Sequence, residues 1–266
     1  MVQGLTEFLP VSSSGHLVLA QYFLGLQPQF AFFLVLQAAT LLATLLFFWP
    51  SFRGMAVDGV GALGDKRHGL SWRTIFAKRP DARLLWLTVL GSVPTAVIGL
   101  SLRHQLEASF GGGRADIRAV GWLLLVTAGL LLATLLRRGQ GRGIGAMRVA
   151  DALIIGLAQS LAFVPAISRS GATIAVGLLL GLDRELCARY SFVLSVPAII
   201  ATLMLEAATG QAYLVELAPL VSGFVTALLC GLAALAFLMP LVRHGRIYRF
   251  AGYVVPLALI VLWLVK

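Results

Sequence analysis

The segment GLTEFLPVSSSGH, residues 4–16, decides how this chain folds, because a proline and a run of serines interrupt an otherwise apolar stretch. A second segment, GLAQSLAFVPAISRSG at residues 156–171, repeats its plan of an apolar arm, a proline-containing break and a Ser-rich start of another arm. Each arm is too short to cross a hydrocarbon core of about 30 Å, which needs roughly 20 helical residues. Each segment is therefore predicted to form a re-entrant helical hairpin, whose irregular backbone is buried in protein or lines a polar cavity.

The composition around these segments excludes an ordinary soluble protein. Of the 266 residues, 59% are hydrophobic and only 12% are charged, with a mean hydropathy of +0.92, whereas soluble domains carry about 25% charged residues. Three apolar stretches that could span a bilayer follow each hairpin, at residues 30–49, 84–102 and 119–136, and at residues 190–205, 217–242 and 250–265. The chain is predicted to be an all-α polytopic membrane protein of about six spans.

The order of these elements predicts two inverted repeats within a single integral membrane domain that covers residues 1–266. Repeat 1 covers about 1–136 and repeat 2 about 149–266, and each is a re-entrant hairpin followed by three transmembrane helices. An odd number of spans between the hairpins inverts the second repeat relative to the first. Inverted repeats with broken helices recur in membrane proteins that bind polar ligands near the bilayer midplane.

The charges predict the sidedness of the chain. It has 21 Lys and Arg against 11 Asp and Glu, a formal net charge of +10, and the predicted loop at residues 51–83 alone holds seven of the basic residues. On the predicted topology 16 basic residues lie on one side and four on the other. Because cytoplasmic loops are enriched in Lys and Arg, both termini are predicted outside. Short basic loops beside anionic lipid explain the net charge, so we expect no nucleic-acid partner.

Ionisable groups are scarce at predicted membrane depth, and Glu7, His16 and Arg169 all lie in or beside the breaks. A charge there is expensive and needs a partner or a task. Gln3 and Glu7 are four residues apart and share a helix face, so they could offer an amide oxygen and a carboxylate to a divalent cation whose other ligands are phosphate and water. The alternative is that Glu7 only caps a helix or pairs with Arg169.

Small hydroxyl residues open the second arm of each hairpin, where free backbone N–H groups attract anions. The candidate phosphate ligands are Ser12, Ser13, Ser14 and Gly15 in the first break, and Ser168, Arg169, Ser170, Gly171 and Thr173 in the second. If the repeats face each other, two helix starts and the Arg169 guanidinium converge on one anion. Helix capping alone is the alternative for either cluster. Together, two clusters and an arginine favour phosphate or diphosphate.

His16 lies three residues after Ser13, close enough for a nucleophile and a general base or acid to share a pocket. With Glu7 and Arg169 nearby, the residues predict a hydrolytic or phosphoryl-transfer site, in which Arg169 stabilises charge on the transferred group. The alternative function is a polyprenyl-phosphate flippase or anion transporter, because alternating-access proteins share the inverted repeat and the midplane anion site.

Two motifs, QGLTEFLPVSSSGH at residues 3–16 and PAISRSGAT at residues 165–173, strongly resemble the signatures of the bacitracin-resistance type undecaprenyl-diphosphate phosphatases. The resemblance covers essentially the whole chain in length, hydropathy and repeat order. It implies hydrolysis of undecaprenyl diphosphate to undecaprenyl phosphate, which recycles the lipid carrier for cell-wall synthesis and gives bacitracin resistance. It further implies a bacterial plasma membrane location, a polyprenyl diphosphate substrate and a divalent cation, Mg²⁺ or Ca²⁺, and a second copy of the chain is a candidate partner.

Carried over onto this sequence, the resemblance implies that Glu7 and His16 are catalytic, that Ser13 is a candidate nucleophile and that Arg169 binds phosphate. Gln3 is the variable first position of the acidic motif. Attack by Ser13 and direct attack by water both remain open. Ala166 stands where the family usually has Gly, so an altered turn is expected. The chain begins two residues before Gln3, whereas relatives have a longer first helix, so either an upstream start or a shortened first arm is expected.

Overall fold

The computed structural model describes residues 1–25, 30–110, 117–137, 139–208 and 217–265. The α-helices in these ranges are α1 (Val2–Phe8), α2 (Ser13–Leu24), α3 (Phe30–Phe47), α4 (Trp49–Arg67), α5 (Trp72–Lys78), α6 (Pro80–Phe110), α7 (Ile117–Ala133), α8 (Val149–Ser160), α9 (Arg169–Leu179), α10 (Arg184–Ala208), α11 (Leu217–Arg243) and α12 (Ala251–Leu264). Among the described residues, five helices are long and apolar enough to span a bilayer, and a sixth candidate is α3 taken with α4. The predicted all-α polytopic membrane fold is confirmed.

Both sequence segments form pairs of short helices. Helices α1 and α2 have 7 and 12 residues, and α8 and α9 have 12 and 11, so none of the four can cross a bilayer alone. Serine starts the second helix of each pair, because the Ser12 hydroxyl accepts from the Gly15 N–H at 3.2 Å and the Ser168 hydroxyl from the Gly171 N–H at 3.1 Å. The predicted break near residues 25–28 lies largely in 26–29, outside the described residues.

Each hairpin packs on a spanning helix from the other half of the chain, α1 on α11 and α8 on α6. Glycine occupies the matching position of both arms. A Cβ on Gly4 would lie 2.5 Å from the Ala227 carbonyl oxygen, and a Cβ on Gly156 only 2.0 Å from the Gly91 carbonyl oxygen. The glycines therefore let each short arm touch a neighbouring backbone. The inverted repeat and its boundaries at about 1–136 and 149–266 stay a prediction.

The prediction of a loop at residues 51–83 is wrong, because this region contains helices α4 and α5. Helix α4 departs from α3 at an angle of 71°. The Ser71 hydroxyl caps α5 by accepting from the Thr74 N–H at 3.2 Å, and Arg79 pairs with Asp65 at 2.7 Å and with Asp58 at 3.6 Å. The high density of charged residues suggests a loop. A surface helix, however, also carries charged residues on its exposed face while the opposite face is buried.

The ends of three predicted spans meet in one cleft of the described structure. Arg137 follows α7, Arg184 begins α10 and Arg243 ends α11, and all three line this cleft. The sequence predicts these three ends on the same side of the membrane. Arg114, Arg138 and Lys266, which also enter the predicted charge asymmetry, lie outside the described residues, and the sidedness of the chain stays a prediction.

We expect Gly156→Ala to lower the free energy of unfolding by about 1–3 kcal/mol, because the new methyl group forces the α8 and α6 backbones apart. Gly129→Ala in α7 is the matched control, since a Cβ there meets no atom within 4 Å. Better helix propensity makes that control neutral or stabilising by about 1 kcal/mol. The measurement is the thermal unfolding midpoint in detergent, and equal midpoints for the two variants would contradict the close helix contact.

Candidate active site

The Glu7 carboxylate joins the two hairpins. Glu7 lies in the last turn of α1, and its side chain is only 7% exposed. One carboxylate oxygen pairs with the guanidinium of Arg169, the first residue of α9. The other oxygen accepts from the Ser13 hydroxyl at 2.7 Å and from the Gln3 amide at 2.9 Å. The structure therefore brings together four residues that the sequence predicts for the site.

The tips of the two hairpins contact each other at small residues. A Cβ on Gly15 would lie 3.1 Å from the Ala166 side chain, and a Cβ on Gly171 would lie 3.4 Å from Pro10. The Ala166 N–H donates to the Ser14 hydroxyl at 3.1 Å, which adds a hydrogen bond between the tips. The predicted convergence of two Ser-rich helix starts is present in the structure.

Thr127 of α7 supports the second tip, and it is not among the predicted site residues. Its hydroxyl donates to the Ala166 carbonyl at 3.1 Å and accepts from the Ser168 N–H at 3.1 Å. The side chain is fully buried. A threonine inside an apolar span carries no sequence signal for this role, because its partners lie about 40 residues away along the chain.

A cavity of about 230 Å³ lies beside the Glu7 carboxylate. The predicted site residues that line it are Glu7, Ser13, Ser14, Ser168 and Arg169. The other polar residues in its wall are Thr6, Gln37, Thr95, Gln159 and Thr202, and its apolar residues are Phe33, Ala162, Phe163, Ile167, Ala198, Ile199 and Leu203. One part of the wall is thus charged and hydroxyl-rich, whereas α3 and α10 contribute apolar side chains.

Gln159 occupies the position in the second segment that Glu7 occupies in the first, and it too lines the cavity. Its amide donates to the Thr95 hydroxyl at 3.1 Å, and that hydroxyl donates to the Gly156 carbonyl at 2.9 Å. The second hairpin thus brings a neutral amide to the cavity where the first brings a carboxylate. Of the polar wall residues that sequence reasoning missed, only Gln159 had a signal, the match between the two segments.

The remaining predicted phosphate ligands are not among the described residues that line the cavity. Ser12, Gly15 and Gly171 belong to the helix caps given above. The Ser170 hydroxyl points to the Leu9 carbonyl at 3.5 Å, and the Thr173 hydroxyl donates to the Arg169 carbonyl at 2.8 Å. Their contacts hold the tips in place.

The structure places His16 against α12. Its Nδ1 lies 2.7 Å from the Ser12 carbonyl oxygen, and its Nε2 lies 2.8 Å from the Tyr253 hydroxyl. The two rings stack with centroids 5.7 Å apart. The Ser13 hydroxyl, which the sequence pairs with His16, donates to Glu7. Tyr253 is a contact that the sequence could not reveal, since it lies 237 positions from His16.

The oxygen atoms near Glu7 fit a hard divalent cation. No three His, Cys, Asp or Glu side chains cluster as a complete metal site within the described ranges. The side-chain amide oxygen of Gln3, Oε1, is buried and has no hydrogen-bond partner among the described residues. Gln3 and Glu7 therefore offer two oxygen ligands. Such a set suits Mg²⁺, which commonly keeps several waters and takes its other ligands from substrate phosphates.

This architecture defines a polytopic helical membrane protein with a buried polar site between two hairpin tips. The chain belongs to the family described as bacitracin resistance protein BacA, whose model matches residues 1–260. It is 41% identical over 259 residues to a protein named undecaprenyl-diphosphatase from Desulforapulum autotrophicum, covering 95% of this chain and 91% of that one. Proteins of the same name from Desulfosudis oleivorans and Korarchaeum cryptofilum are 42% and 38% identical, covering 99% and 98% of this chain and 95% of each relative.

Ala166 adopts the backbone conformation that favours glycine. Its φ is +70° and its side chain is fully buried against the Gly15 contact. The left-handed conformation costs an L-residue about 1–2 kcal/mol. The turn before Ser168 therefore keeps a glycine-like shape, at a cost in backbone strain.

We expect Ala166→Gly to change the free energy of unfolding by less than about 1 kcal/mol. Relief of the strain offsets the loss of one buried methyl group and the greater freedom of glycine in the unfolded chain. Ala172→Gly in α9 is the matched control, since Ala172 is equally buried but helical. Ala172→Gly relieves no backbone strain, so it is expected to lower the free energy of unfolding by about 1–2 kcal/mol. Thermal unfolding compares them, and equal losses would show that the Ala166 turn is unstrained.

Proposed function

We propose that this chain hydrolyses undecaprenyl diphosphate to undecaprenyl phosphate and inorganic phosphate. The observation that carries the proposal is the Glu7 carboxylate bonded to both the Ser13 hydroxyl and the Arg169 guanidinium beside a cavity. A nucleophile, a base and a phosphate-binding cation are the groups that phosphoryl transfer needs. Membership of the BacA family and the names of the relatives support hydrolysis over the flippase or transporter alternative.

The cavity suits an amphiphilic substrate. Arg169 and the hydroxyls of Ser14 and Ser168 provide donors for the diphosphate. Phe33 of α3 and Ile199 of α10 provide an apolar wall in the same cavity. We assign the headgroup to the charged end and the start of the polyprenyl chain to the apolar wall, where burial of hydrocarbon is favourable.

Ser13 is the proposed nucleophile. Its oxygen attacks the terminal phosphorus while its proton moves to Glu7, which already accepts the Ser13 hydrogen bond. The bond from that phosphorus to the bridging oxygen breaks, and undecaprenyl phosphate leaves. Glu7 then releases the proton to solvent and accepts another from the water that attacks the phosphorus of phosphoserine. The bond from that phosphorus to the Ser13 oxygen breaks, the Ser13 oxygen takes the proton back from Glu7, and inorganic phosphate departs. Arg169 stabilises the charge on the phosphoryl oxygens in both steps.

Gln3 and Glu7 are the residues that would hold a divalent cation, Mg²⁺ or Ca²⁺, in this proposal. When bound, it neutralises charge on the phosphate oxygens. Gln3 also donates to Glu7 through its amide nitrogen, which orients the carboxylate whether or not the cation is present.

We further propose that the chain works in the bacterial plasma membrane with both termini outside, which the basic loops support. Undecaprenyl phosphate returned by this reaction serves cell-wall synthesis, and removal of the diphosphate gives bacitracin resistance. Self-association into a homo-oligomer stays a prediction.

Purified protein in detergent is expected to release phosphate from undecaprenyl diphosphate. EDTA is expected to stop this release, and added Mg²⁺ is expected to restore it. Glu7→Ala removes the base, and Arg169→Lys removes the planar guanidinium, so each is expected to lose about 10²- to 10³-fold in kcat. Arg243→Lys is the control, since its guanidinium pairs with Glu185 at an exposed site. Full release by folded Glu7→Ala and Arg169→Lys proteins would overturn the proposed site.

Acid quenching during turnover is expected to trap phosphate on Ser13, detected by mass spectrometry of the digested protein. Ser13→Ala is expected to abolish the trapped species and to lower kcat by at least about 10³-fold, because the nucleophile is lost. Ser222→Ala is the control, since Ser222 is exposed on α11 and its hydroxyl donates to the Pro219 carbonyl at 3.1 Å. Turnover by Ser13→Ala within tenfold of wild type would favour direct attack by water.

A further inference from the structure

A chain of hydrogen bonds leads from α12 to the turn that carries Ser13. The Tyr253 hydroxyl contacts His16 Nε2 at 2.8 Å, and His16 Nδ1 contacts the Ser12 carbonyl oxygen at 2.7 Å. That carbonyl also accepts from the His16 backbone N–H at 3.2 Å. Ser12 immediately precedes Ser13, whose hydroxyl donates to Glu7.

These partners determine which nitrogen of a neutral His16 ring carries the proton. A carbonyl oxygen can only accept a hydrogen bond, so Nδ1 must be the N–H donor to Ser12. Nε2 is then an acceptor and receives the Tyr253 O–H. Both nitrogens are occupied by protein groups. In the described structure, Ser13 and Ser14 of this turn line the cavity, whereas His16 does not.

The Ser12 backbone is strained where this chain of bonds ends. Its φ is +71°, a conformation that a side chain other than glycine rarely adopts. Such a conformation persists only where surrounding contacts hold it. The bonds from His16 to the Ser12 carbonyl, together with the bond from the Gly15 N–H to the Ser12 hydroxyl, provide that hold.

We infer that Tyr253 is a positioning residue for the reaction, acting through His16 on the Ser12 turn that presents Ser13 to Glu7. The inference rests on the proposed function. It assigns His16 to holding the Ser12 carbonyl, in place of the proton transfer that the sequence predicts for it. Without the hydrogen bond from Tyr253, the His16 imidazole restrains the strained Ser12 turn less firmly. Small displacements of the Ser13 nucleophile then lower the rate of reaction, whereas substrate binding by Arg169 is retained.

Tyr253→Phe tests the hydrogen bond to His16, because it removes the hydroxyl and keeps the ring stacked on His16. The expected result is a kcat lowered roughly three- to tenfold, the effect of one lost hydrogen bond, with KM unchanged. Tyr22→Phe is the matched control, since Tyr22 lies on α2 with its side chain exposed, and it is expected to match wild type. An unchanged kcat in folded Tyr253→Phe would overturn the inference.

His16→Asn separates positioning from proton transfer. An asparagine amide can donate to the Ser12 carbonyl as Nδ1 does, but it cannot carry a proton at neutral pH. His16→Asn is expected to stay within about threefold of the Tyr253→Phe kcat, because it keeps the bond to Ser12 and loses the bond to Tyr253. His16→Ala is expected to fall at least tenfold below His16→Asn. Equal inactivity of the two His16 variants would assign proton transfer to His16 and overturn the inference.

A readout independent of activity is the ¹⁵N spectrum of histidine-labelled protein, in which His16→Asn identifies the His16 signals among four histidines. The Nδ1–H form is expected in wild type, and Tyr253→Phe is expected to shift the Nε2 signal. An Nε2–H form, or no shift, overturns the inference. Wild type that releases no phosphate but gives the expected spectrum would refute the proposed function and leave the contact between His16 and Tyr253 established.

Discussion

The ion pair between Glu7 and Arg169 is the interaction on which the rest of the site depends. Removing two charges from water is expensive, and their attraction compensates only when further hydrogen bonds satisfy the carboxylate. Ser13 and Gln3 supply those bonds to Glu7. The pair crosses from one hairpin to the other, so the same contact closes the fold and assembles the charged wall of the cavity.

The two hairpins contribute different chemistry at matching positions. Glu7 and Gln159 occupy the same place in the two segments, and Ser13 and Arg169 each follow the serine that caps the next helix. Two carboxylates at the first pair of positions, or two arginines at the second, would place like charges in one small cavity. The differences between the halves therefore place a carboxylate, a hydroxyl and a guanidinium in one site.

Much of the site could be predicted from the sequence because its residues lie within two short segments. The prolines, the serine caps and Arg169 each have a local meaning, and their repetition predicts that the tips meet. Helices α4 and α5 were not predicted, because the many charged residues of this region obscure the few buried residues on one face of each helix. The sequence does not reveal the contacts of Thr127, Thr95 and Tyr253, because the partner of each is remote in the chain.

The sequence by itself determined that this chain has apolar helices long enough to cross a membrane and two segments whose helices are too short to cross, and it predicted the site residues within those segments. Apolar length, helix breakers and capping serines decide these features, and all of them are local. Only the tertiary structure decided that Glu7 faces both Ser13 and Arg169 and that His16 faces Tyr253. Side-chain partners depend on how helices from opposite ends of the chain pack, and backbone contacts such as that of Gly156 against Gly91 set that packing.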